Sequence, residues 1–187
     1  MRLFVAVNFP RELRDAVWEA TEPARRAAEA ARWVRPENMH LTLKFLGEVP
    51  DERDAEMRAA LERAVSGARA FTVTVGGCGV FPSEQRPRVL WIGIAAEPAL
   101  ELLQHGVERE FAPLGFETEA RPFRPHLTLG RAARDAAAGD LRRVAERLAT
   151  VSYEGVARIE SLDLMRSTLR PQGATYDVWQ RQPLGDA

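Results

Sequence analysis

His40-Leu41-Thr42-Leu43 returns unchanged as His126-Leu127-Thr128-Leu129, and the two copies hold two of the chain's three histidines. At ordinary residue frequencies a second histidine would be followed by Leu-Thr-Leu with odds on the order of 1 in 2000, so the recurrence needs a cause. In a β-strand alternate side chains share a face, which sorts His40 with Thr42 and His126 with Thr128, away from the leucines. Phe45 continues the apolar side of the first copy and Gly47 ends it, while Gly130 follows the second. Each copy therefore presents one imidazole and one hydroxyl from a strand with an apolar back. An imidazole can give or take a proton near neutral pH, and a Thr hydroxyl can donate to an anionic oxygen.

The copies lie 126 − 40 = 86 residues apart, a little under half of the 187, and the flanking sequence matches coarsely at that offset. A helix is predicted from Pro10 through Leu13 and Val17 toward Ala31, divided or kinked at Pro23; its counterpart starts at Pro98, with Leu100, Leu103, Val107 and Phe111 on one face. After the first motif Asp51 can cap a helix with Met57, Leu61 and Val65 in one stripe. After the second, a helix around Asp140 carries Leu141, Val144 and Leu148. Strands follow at Phe71–Val75 and Val89–Ile94 in the first half and at Val156–Leu164 and Thr175–Trp179 in the second, with Arg2–Val7 as an extra strand at the front. The expected fold is α+β, residues 1–187 forming one two-lobed domain. Its two antiparallel sheets, flanked by helices, would face each other across a central groove with a pseudo-two-fold repeat.

The net charge of −1 provides no global basic field, so an anionic partner must be met locally. The basic residues comprise 25 Arg and one Lys. Arg121, Arg124, Arg131 and Arg134 cluster around the second motif and can make that wall of the groove positive, with Arg131 the strongest candidate for ligand contact. Lys44 shares strand parity with His40 and Thr42 and should face the groove if alternation continues; otherwise it is a solvated lysine. Phe123, three residues before the second motif, can stack on a base or pack in the core. His105 falls on the polar side of its helix, and Trp91 within Val89–Ile94 reads as core.

Other chemistries lack a local signature. Neither motif has a second His, Cys, Asp or Glu at ligand spacing, so no metal is expected. There is no Gly-x-Ser-x-Gly, and Cys78 sits among Gly76, Gly77 and Gly79 without a basic neighbour to activate it. Those glycines lack the Lys-Ser/Thr ending of a phosphate cradle and mark a bulge or turn. One cysteine, no stretch of transmembrane length and no secretory signal lead to the expectation of a cytoplasmic protein acting away from membranes, and a monomer is expected, although no residue pattern sets the oligomeric state.

Two His-x-Thr-x motifs of this kind resemble the 2H phosphoesterase superfamily. The segments RLFVAVNF (Arg2–Phe9), WVRPENMHLTLKFLGE (Trp33–Glu48), PRVLWIGI (Pro87–Ile94), FRPHLTLGR (Phe123–Arg131) and LMRSTLRPQGATY (Leu164–Tyr176) are similar to the bacterial and archaeal RNA 2′,3′-cyclic phosphodiesterases, long called 2′-5′ RNA ligases. The resemblance implies a bilobed fold and hydrolysis of RNA 2′,3′-cyclic phosphate ends, or of cyclic nucleotides, to a 2′-phosphate without metal or other cofactor. It also implies His40 as proton donor and His126 as acceptor, roles that the near-identical motifs cannot assign by themselves. Thr42 and Thr128 would hold the non-bridging oxygens, with Arg131, Lys44, Arg124 and Phe123 as candidate substrate contacts. Ligation by the reverse reaction, or a non-catalytic RNA-end or nucleotide-binding module, would use the same fold.

Overall fold

A computed structural model describes residues 1–170 and 173–186, so Pro171 and Gln172 of the Leu164–Tyr176 segment lie outside the described residues. In chain order the elements are β1 (Arg2–Asn8), α1 (Arg11–Ala20), α2 (Glu22–Arg25), β2 (Ala31–Trp33), β3 (His40–Glu48), α3 (Asp54–Ala64), β4 (Phe71–Ser83), β5 (Arg86–Ile94), α4 (Pro98–Phe111), β6 (His126–Ala132), α5 (Ala138–Ala149), β7 (Glu154–Ile159), β8 (Ser161–Arg170) and β9 (Gly173–Pro183). The strands run in the order β7-β4-β5-β6-β3-β1-β8-β9, with β2 added to the edge of β6. Every neighbouring pair is antiparallel. The motif strands β3 and β6 are central and pair only through Leu41 and Leu127, so the path divides there into two antiparallel four-stranded halves.

The 86-residue offset maps β1 onto β5, α1 onto α4, β3 onto β6, α3 onto α5 and β4 onto β8. The front strand is thus part of the repeat, and Val89–Ile94 opens the second unit where its position after Phe71–Val75 had suggested the close of the first. The last strand of each unit is exchanged: β4 pairs with β5 of the second unit, and β8 pairs with β1 of the first. Two further expectations change for the same reason, that sequence spacing does not name a strand's partner. The run Val156–Leu164 is two strands, β7 on β4 and β8 on β1. The helix expected to reach Ala31 stops at Arg25, because Ala31–Trp33 is taken up as a strand by β6.

Helices cover one face of this sheet. The predicted stripes Leu100, Leu103, Val107 and Phe111 of α4, and Leu141, Val144 and Leu148 of α5, are buried in one hydrophobic cluster with Leu3, Val5 and Val7 of β1. α3 packs on α4 closely enough that a Cβ at Gly106 would stand 2.9 Å from the Ala64 carbonyl oxygen. On β1 the other parity, Phe4 and Ala6, belongs to a small separate cluster with Met165 and Tyr176. This second face, free of helices, is where the motif imidazoles lie.

Candidate active site

The two motifs are built alike, down to the backbone contacts of their histidines. Nδ1 of His40 lies 2.8 Å from the Asn38 carbonyl oxygen, and Nδ1 of His126 lies 2.7 Å from that of Arg124, 86 residues on. A carbonyl only accepts, so Nδ1 carries the proton in both rings and Nε2 is left to exchange protons at the open face. Continuing the register of the Leu41–Leu127 pair sets His40 across from Thr128 and Thr42 across from His126. The histidines are then diagonal neighbours, with Cα atoms about 7–8 Å apart or more where the strands diverge, which leaves space between the rings for a tetrahedral group.

Each imidazole sits among aromatic rings. Phe4 and Tyr176 lie 4.8 and 5.1 Å from His40 between ring centroids; Phe81 and Trp91 lie 5.1 and 6.3 Å from His126. This surround removes water, and desolvation pushes His40 from 6.5 down to about 4 against the opposing pull of the Asn38 carbonyl. His126 is lowered too, first by burial and further by the Arg131 cation, with the Arg124 carbonyl opposing. Both rings are therefore neutral at pH 7 in the open groove. Phe4, Phe81 and Tyr176 carried no sequence signal, because their distances from the motifs along the chain say nothing of their place beside them.

A bulge interrupts each motif strand at the same point and reverses the facing of the residues beyond it. Opposite β1 the register steps from Ala6↔Thr42 to Val5↔Lys44, and opposite β5 from Trp91↔Thr128 to Leu90↔Gly130, skipping Leu43 and Leu129. Strict alternation is lost there. Lys44, expected in the groove, turns instead to the helix side, where it is 6% exposed and donates to Glu108 of α4 at 2.5 Å and to the Glu117 carbonyl at 2.7 Å. Phe45, read as apolar back, turns outward, 70% exposed and 6.1 Å from Phe4. In the second strand Arg131 takes the equivalent place. It stands opposite Val89, two residues from Trp91 and on its face, and its charge is felt at His126.

The remaining candidates divide. Arg124 is exposed and serves the site through its backbone carbonyl. Phe123 is half-buried and packs against the main hydrophobic cluster. His105 is exposed on α4. Trp91 is half-buried on the open face, its ring so close over Gly79 that a Cβ there would come within 2.3 Å of it. Burial raises the Cys78 thiol to about 11, against any role as a thiolate. Gly77 adopts a φ of 71° at the step between Val75 and Cys78, the bulge expected of that glycine run. A site residue missed altogether is Asn8, cross-strand partner of His40, whose amide donates at 2.7 Å to Asp163. Asp163 is fully buried and also accepts a two-pronged contact from Arg181 at 2.9 and 3.0 Å. Among the described residues no three His, Cys, Asp or Glu side chains gather to hold a metal ion, and no helix is long and apolar enough to cross a membrane.

A sequence model described as the 2′-5′ RNA ligase superfamily matches residues 12–170. The chain belongs to this superfamily. It is 32% identical over 176 residues to an RNA 2′,3′-cyclic phosphodiesterase of Methanothermobacter thermautotrophicus, covering 94% of this chain and 95% of that one. It is 34% identical over 178 residues to a protein of the same name from Archaeoglobus fulgidus, at 94% and 96% coverage. Among solved structures, a Thermus thermophilus protein superposes over 100% of this chain and 99% of its own with a TM-score of 0.82 at 33% identity. E. coli LigT in complex with 3′-AMP does so over 98% and 97% with a TM-score of 0.76 at 28% identity. The two-lobed α+β arrangement read from the repeat thus agrees with the 2H phosphoesterase fold that the resemblance implied, and the paired His-x-Thr-x strands lie at its centre.

Proposed function

We propose that this member of the superfamily hydrolyses the 2′,3′-cyclic phosphate at RNA ends to a 2′-phosphate by metal-free acid–base catalysis. The observation that carries the reading is the matched pair of imidazoles, each pinned at Nδ1, each with no hydrogen-bond partner at Nε2 among the described residues, and set diagonally across two central strands. In-line displacement at phosphorus needs a base for the entering water and an acid for the departing 3′ oxygen on opposite sides of the phosphate. His126 is the base, as the resemblance to the family implies, and burial first and the Arg131 cation last keep its ring neutral and able to accept a proton. His40 is the acid, taking up its proton as the phosphate's negative charge enters the groove and offsets the desolvation that keeps the ring neutral when the groove is empty. Thr42 and Thr128 donate to the non-bridging oxygens, and Arg131 neutralises the charge that builds there. The names of the relatives support this activity, and the nucleotide complex of LigT supports a groove that accepts a nucleotide phosphate.

Joining of RNA ends by the reverse reaction would employ the same four residues, a 5′ hydroxyl replacing water. Water at high concentration makes hydrolysis the main outcome. A purely binding module has no need of two imidazoles each restricted to one tautomer. The test is incubation with a 2′,3′-cyclic nucleotide in the presence of a chelator. A 2′-phosphate product is expected; a 3′-phosphate product, or activity that a chelator abolishes and a divalent ion restores, would overturn the mechanism. Adding a 5′-OH RNA acceptor to cyclic-ended RNA separates ligation from hydrolysis.

A further inference from the structure

Two arginines on the open face stand directly opposite one another. β2 adds to β6 in the register Ala31↔Ala132, Arg32↔Arg131, Trp33↔Gly130, and backbone bonds from Val34 to Leu129 at 2.8 Å and from Ala133 to Ala30 at 2.9 Å hold it there. Directly paired residues of an antiparallel ladder share a face, so Arg32 joins Arg131 on the face that carries His126 and Thr128. Like charges so placed repel. Both side chains are exposed, and among the described residues neither has a carboxylate within 4.0 Å, whereas eleven other arginines do. Arginines without a carboxylate partner are common in this chain, but these two stand face to face beside His126 and Thr128, which gives that rim a local positive charge suited to an external anion.

We propose that Arg32, set beside Arg131, holds the backbone phosphate next to the cyclic end of an RNA strand, so that an oligonucleotide is preferred to a mononucleotide. This rests on the reading of the groove as an RNA-end site. Arg131 lies three residues past Thr128, roughly 10 Å along the strand, on the face that carries His126. Arg32 is one strand further over, at the groove's rim. Its planar fork suits the oxygens of a phosphodiester outside the reacting centre, and one such contact in a single strand adds about 0.7 to the slope of log K against log salt concentration.

Binding, which needs no turnover, gives the test. Fluorescence anisotropy with a labelled RNA tetranucleotide ending in 2′-phosphate, and competition by the corresponding 2′-mononucleotide, are measured for wild type, Arg32→Ala and Arg32→Lys between 50 and 200 mM salt. Arg32→Ala is expected to weaken tetranucleotide binding about 5- to 10-fold at the lowest salt and to flatten the slope by about 0.7, while Arg32→Lys keeps the slope. The preference for tetranucleotide over mononucleotide should fall by the same factor. An unaltered slope, or equal losses for both ligands, would overturn the assignment. So would failure of the wild type to bind the tetranucleotide more tightly than the mononucleotide. Absence of hydrolysis alongside intact salt-dependent RNA binding would refute the catalytic proposal and leave this one standing.

Discussion

Replacing Lys44 by Met should unsettle the fold far more than the groove. Its ammonium lies almost wholly out of water between Glu108 at 2.5 Å and the Glu117 carbonyl at 2.7 Å, and Glu108 is itself buried, receiving one further bond from Gln104 at 3.3 Å. Removing the cation leaves a carboxylate in an apolar setting with one weak neutral donor, a change that typically costs 3–5 kcal/mol. For a chain of this length each kcal/mol shifts the unfolding midpoint by about 2–4 °C, so Lys44→Met should melt roughly 10 °C lower. Truncating both partners removes the uncompensated charge as well as the pair. The double variant Lys44→Met/Glu108→Met is therefore expected to regain most of the loss or to exceed wild type. Thermal and urea unfolding of the wild type, both single variants and the double variant complete the cycle. Single variants within about 0.5 kcal/mol of wild type, combined with a KM for cyclic-ended RNA that rises only at low salt, would refute the buried pair and return Lys44 to the groove.

His40→Ala and His126→Ala should each lower turnover of a cyclic nucleotide by about 100- to 10,000-fold with far-ultraviolet circular dichroism preserved, and His105→Ala should be nearly silent; near wild-type turnover in either motif variant removes that ring from the mechanism. Both motif imidazoles titrate below 6.5 in the folded protein, His40 at about 4, so the unfolded chain takes up more protons as pH falls below 6.5. Stability is then full above 6.5 and is lost between 6.5 and about 4, which denaturant melts across that range will check. For the same reason kcat/KM, which reports the unliganded protein, should peak on the acid side of 6.5, and a peak above pH 7.5 would contradict the neutral pair. Gly79→Ala places a Cβ 2.3 Å from the Trp91 ring, so it should displace Trp91 from beside His126 and lower kcat more than it raises KM; unchanged kcat would show that the ring position does not matter to the chemistry.

The strand character of both motifs, the side of each strand that His40, Thr42, His126 and Thr128 occupy, the apolar stripes of α3, α4 and α5 and the existence of a repeat were all legible in the residues. They depend on periods of two and of 3.6 that any local stretch must obey. Strand exchange between the repeats was not legible, since a strand's partner is chosen by long-range pairing and not by its own alternation. The single extra residue in each motif strand decided the rest. One bulge after Thr42 buries Lys44 and exposes Phe45, and its twin after Thr128 brings Arg131 onto the histidine face, where strict alternation would have hidden it. A bulge of this kind is set by the register of the neighbouring strand across the ladder. The same dependence on contact across the sheet placed Phe4, Tyr176, Phe81 and Trp91 around the imidazoles and set Arg32 against Arg131, so the chain alone specified the reactive groups while tertiary pairing determined their surroundings and their protonation.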